Sequence, residues 1–136
     1  MDANATTQRQ LSTRQRVSRR IHLVLAAAFG TAAIVQIFFA GAGVFSGSQY
    51  LARHVAFVEW FQPIPVFLVA TALLGKMSWF SRVAPAAAWL GIVLQYEFAK
   101  LSPSAVAGLH VVNGFLIAWL AVETTRKAWT QRPGAA

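Results

Sequence analysis

Four apolar stretches, each long enough to cross a bilayer, fill most of this 136-residue chain, and its cations lie almost wholly to one side of them. A helix needs about 20 apolar residues to span the hydrocarbon core. The chain is 57% hydrophobic and only 12% charged, against about 25% charged in an ordinary soluble domain. This reading makes the chain an integral membrane protein, and every polar residue inside a span then needs a partner or a purpose.

The first span runs from about Ile21 to Val44, the second from Leu51 to Gly75, the third from Val83 to Lys100 and the fourth from Ser104 to Thr125. Short connections predict an all-α, up-down-up-down four-helix transmembrane bundle. Residues 1–20 are polar and Arg-rich, and read as a disordered or surface-lying tail; residues 126–136 form a second short tail. The run after Arg20 is too long for the apolar part of a signal peptide, so it reads as an anchor. Ala26, Gly30, Ala33 and Ala40 form a small-residue stripe that admits a close neighbouring helix. Gln62-Pro63-Ile64-Pro65 removes two backbone donors and predicts a kink in the second span. Ser48 is read as the N-cap of the second helix, and Ser102-Pro103 as N-cap and first residue of the fourth.

With both termini inside, ten of the twelve Lys and Arg residues fall on the inner side, leaving Arg53 and Lys100 outside. That bias is the positive-inside pattern and places a multi-pass protein in the cell's inner (plasma) membrane with cytoplasmic termini. The net charge of +8 then belongs to helix ends that meet anionic head groups, not to a nucleic-acid surface. The absence of cysteine excludes disulfides, iron–sulfur clusters and thiolate metal sites.

The polar residues gather in one layer. Gln36, His54, Glu59, Gln95, Glu97, His110 and Asn113 all fall in the outer half of their helices. His54 and His110 each lie roughly 9–12 Å along their helices at 1.5 Å per residue. Two neutral imidazoles at one depth in an apolar slot are what a b-type haem needs as axial ligands. Gln36, Gln95 and Asn113 are candidate supporting residues, and Phe57, Phe61, Gly108, Gly114 and Phe115 candidate walls. A mixed N/O metal site from His54, His110 and Glu59 or Glu97, suited to zinc or iron, is a further reading. Against these stands a plain one, in which Gln36, Gln95 and Asn113 act as interhelical glue and Glu97 pairs with Lys100 at i, i+3. Glu59 is either buried and protonated or paired with a His or Arg. His22, beside Arg19 and Arg20, reads as interfacial. No nucleophile–base spacing, HExxH, phosphate loop or CxxC motif occurs, so nothing marks an enzyme. The inner half lacks the polar lining that ion conduction requires.

The segment Val35-Gln36-Ile37-Phe38-Phe39-Ala40-Gly41, His54 after a short loop, Gln95, and Leu109-His110-Val111-Val112-Asn113-Gly114 together resemble a family of small four-helix prokaryotic membrane proteins catalogued only as a domain of unknown function. The resemblance covers about residues 20–125 and implies the fold and shared polar positions, but no activity. The chain departs from that pattern after His54, where Val55-Ala56-Phe57-Val58 stands in place of an early Gly. The architecture is also similar to four-helix haem modules such as either half of haem A synthase, whose ligands come from the second and fourth helices. Two functional expectations follow. One is a haem b electron-transfer module; the other is a non-catalytic accessory or assembly subunit, docked in a larger membrane complex or homo-oligomer.

Overall fold

The computed structural model describes residues 11–134. The expectations for residues 1–10, including Arg9, lie outside them. Five α-helices follow in order: α1 Thr13–Ser46, α2 Ser48–Phe61, α3 Ile64–Leu74, α4 Trp79–Lys100 and α5 Leu109–Thr130. Helices α2 and α3 form one interrupted rod, so the described chain is a four-helix bundle. Helix α1 packs on α2, α3 and α5, while α4 packs on α3 and α5, which closes the ring. Three of the four rods, Thr13–Ser46, Ser48–Leu74 and Ala105–Thr130, are long and apolar enough to cross a membrane. The fourth, α4, has 22 residues, about 33 Å, but Ser81, Arg82, Gln95, Glu97 and Lys100 lower its hydropathy. Large apolar side chains such as Val24, Phe38, Trp60 and Trp119 point outward. In water that surface would aggregate; in hydrocarbon it is the solvated face.

The helix boundaries correct several readings. Helix α1 begins at Thr13, eight residues before the predicted span. Ser12 and Gln15 form a capping box there, with Gln15 N–H donating to Ser12 Oγ and Ser12 N–H to Gln15 Oε1, which satisfies two orphan donors of the first turn. Residues 13–20 are therefore helical. The side chains of Ser18 and Arg19 hold this turn to its neighbours: Ser18 Oγ donates to Thr71 O at 2.9 Å. The Arg19 guanidinium donates to Gly75 O, Lys76 O and Gln131 O, joining α1 to the carbonyl ends of α3 and α5, where a cation is favoured. Helix α4 starts at Trp79, before the predicted Val83, because Ser78 caps it and the Gln131 amide donates to both Ser78 Oγ and Ser81 Oγ.

At the opposite end, Gly47 rather than Ser48 flanks α2, with φ 125°, a conformation that favours glycine. Ser102 and Pro103 do not begin the last helix. Residues Ala105–Gly108 first wind as a tighter 3₁₀ turn, and α5 proper starts at Leu109. The predicted break at Pro63 is present: α2 ends at Phe61 and α3 restarts at Ile64 with Pro65 in its first turn.

The small-residue stripe faces α5. Ala26, Gly30 and Ala33 are buried, and Thr125 Oγ donates to Ala26 O at 2.8 Å. A Cβ at Gly30 would lie 3.1 Å from Thr125 Oγ, so any larger residue would need Thr125 to give way by a few tenths of an ångström. Ala40, further along, is half-buried. Phe29, Phe57 and Phe61 stack across the middle of the bundle, with ring centroids 5.4–6.1 Å apart. His22 is not interfacial. It is fully buried, with Nδ1 against Leu68 O and Thr71 Oγ on α3. The rotation of α1 set by the stripe turns His22 towards α3.

Candidate functional site

At the end remote from the chain termini, each antiparallel hairpin carries a Gln on its first helix and a His on its second. In the α1–α2 hairpin, His54 Nδ1 lies 3.1 Å from Gln36 O, 18 residues earlier. In the α4–α5 hairpin, His110 Nδ1 lies 3.1 Å from Gln95 O, 15 residues earlier. A carbonyl oxygen only accepts, so each Nδ1 carries the proton. In the neutral ring Nε2 is then the bare nitrogen, free to accept or to ligate.

The two hairpins bring these rings together. The centroids of His54 and His110 are 6.1 Å apart, with planes inclined at 52°. Two metal–nitrogen bonds of about 2 Å, plus roughly 1 Å from each nitrogen to its ring centre, require about 6 Å between centroids. Both rings line one cavity of about 300 Å³. Its walls are otherwise apolar except for Gln36 and Gln95, and no Asp, Glu, Lys or Arg lines it.

The amides divide their work. Gln36 Nε2 donates to His54 O at 2.8 Å, forming a reciprocal pair with the His54–Gln36 bond, and its buried Oε1 has no partner. Asn113 Nδ2 donates to Gly91 O at 2.8 Å and to Gln95 Oε1 at 2.9 Å. That turns the Gln95 amide nitrogen towards Gly114. Gly91 allows this geometry, since a Cβ there would meet Ile117 Cγ1 at 2.9 Å and hold α5 away. Gly91 was not singled out in the sequence; the available signal was a Gly four residues before Gln95. Gly41, by contrast, borders the cavity, and a Cβ there would meet nothing within 4 Å.

Of the other candidate residues, Phe61, Gly114 and Phe115 join the cavity wall, while Phe57 packs between Phe39 and Phe61 and Gly108 borders open space. Glu59 is exposed. It is neither buried nor within a set of three metal-binding side chains; no such set of His, Asp or Glu occurs among the described residues. Glu97 pairs with Lys100 at 2.8 Å, both exposed, and the Arg53 guanidinium lies 5.3 Å from the Tyr50 ring centre.

These features define a small α-helical membrane bundle with a two-histidine cavity near one end. A family model described as a family of unknown function (DUF6220) matches residues 36–101. The match opens on Gln36 and contains His54, Gly91 and Gln95, and it stops before His110 and Asn113. No curated protein matches the chain, and no solved structure matches it.

Proposed function

We propose that the protein is a b-type haem-binding electron-transfer module of the plasma membrane. In this reading His54 and His110 would hold the iron through Nε2, and Gln36, Gln95 and Asn113 would support their orientation. The observation that carries the proposal is the pair of imidazoles 6.1 Å apart, each tied at Nδ1 to the carbonyl of a neighbouring helix. Such a bond to the outer nitrogen fixes the tautomer and ring orientation, as in most ligating histidines. When bound, haem supplies one-electron redox chemistry. The two histidines would hold the iron, the apolar walls would limit water around it, and the two ring hydrogen bonds would tune its potential. The positive-inside bias puts the basic end in the cytoplasm and the histidines near the outer leaflet. The test is an oxidised-minus-reduced visible spectrum of protein expressed with ample haem and purified in detergent. A haem band lost in both His54→Ala and His110→Ala supports the proposal, and a colourless wild-type protein refutes it.

A second reading is an accessory or assembly subunit of a larger membrane complex or a homo-oligomer. The reciprocal Gln36–His54 pair favours it, because the same bonds join α1 to α2 with no ligand needed. There the two alanine variants lower stability and remove no cofactor.

A further inference from the structure

The cavity that holds the two histidines is edged by exposed apolar residues of α1 and α5, and the way these helices meet explains why. In the half near the termini the two helices touch along Ala26 and Gly30, with the Thr125 hydroxyl bonded to the Ala26 carbonyl. Beyond Ala33 they stand on either side of the cavity. The residues that edge it there are turned outward: Val44 is 76% exposed on α1, and Val111 and Phe115 are 59% and 61% exposed on α5. Ile37, at 36%, is the innermost of the exposed edge residues on α1. The edge carries no charge, so it presents hydrocarbon to hydrocarbon.

From this we infer that the slot between α1 and α5 is the route by which the site's ligand reaches His54 and His110, and that the ligand arrives dissolved in the bilayer. The inference rests on the haem reading and adds its source: haem is taken up laterally from the lipid phase, not from water through the loops. Once it arrives, the Nε2 lone pairs of His54 and His110 would hold the iron.

The test uses the full chain, haem-free, in liposomes, with haem uptake followed by visible absorbance. Haem is supplied either already partitioned into the same vesicles or bound to albumin in the aqueous phase. The expected rate follows the haem content of the bilayer. Ile37→Trp and Val111→Trp, which narrow the slot at its edge, are expected to slow uptake from preloaded vesicles roughly tenfold. Uptake that follows aqueous haem and ignores both variants overturns the lateral route and leaves the haem reading standing. A wild-type protein that takes up no haem from either source refutes the haem reading and the route together.

Discussion

Gly41→Phe separates the cavity from the fold that surrounds it. Gly41 lies inside α1, and a Cβ at this position meets no atom within 4 Å, yet the residue borders the cavity shared by His54 and His110. Glycine inside a helix is less favourable than an ordinary residue by about 0.5–1 kcal/mol. The phenyl ring would also take up part of an apolar space of about 300 Å³. Stability and binding should therefore move in opposite directions. The apo-protein variant should match or exceed the wild type, with a melting temperature in detergent unchanged or higher by a few degrees. Haem affinity should fall at least tenfold, about 1.4 kcal/mol or more, because the ring occupies the space between the imidazoles and the α1 wall. The assay is haem titration monitored by absorbance, alongside a thermal melt of the same samples. A variant that binds haem with wild-type affinity would show that this cavity is not the site. A variant that melts well below the wild type would show that the space at Gly41 is already filled by packing.

Further substitutions probe the supports of the site and the bundle. His110→Met should keep a haem but raise its reduction potential, since a Met/His pair favours the reduced iron; a potentiometric titration reads the shift. Gly91→Leu should cost about 1–3 kcal/mol through overpacking against Ile117 and weaken the Asn113–Gly91 contact, measured by thermal melting and by the width of the haem band. Thr125→Val removes the bond to the Ala26 carbonyl and should cost about 0.6–1 kcal/mol in detergent unfolding, with the haem spectrum unchanged. Arg19→Ala leaves three helix-end carbonyls without their cation and should cost about 1–3 kcal/mol, again at the end remote from the histidines and without spectral effect.

Much of the architecture is local in origin and therefore legible in the chain. Hydropathy marks the rods, because each run is solvated by lipid whatever its neighbours do. The Gln62-Pro63-Ile64-Pro65 break follows from missing backbone donors, and the close approach of a neighbouring helix at Ala26 and Gly30 follows from the space that small side chains leave. Boundaries were less legible where distant residues extend a helix. Thr13–Arg20 looked like a polar tail, yet Arg19 finds its acceptors on Gly75, Lys76 and Gln131. Ser102-Pro103 carried a helix-start pattern that the 3₁₀ turn at Ala105–Gly108 displaced.

What the sequence by itself determined is the class of protein, the number of rods and the kink, since all depend on covalent chemistry and on the hydropathy of each run. What only the tertiary structure decided is azimuth. Rotation of a rod about its axis changes no hydropathy, yet it buries His22 against Leu68 and leaves Glu59 exposed. The same rotation aims His54 and His110 into one cavity. That angle is set by close contacts, at Gly30 against Thr125 in the other half of the bundle and at Gly91 against Ile117 beside the cavity, where the absence of a side chain lets one helix rest on another.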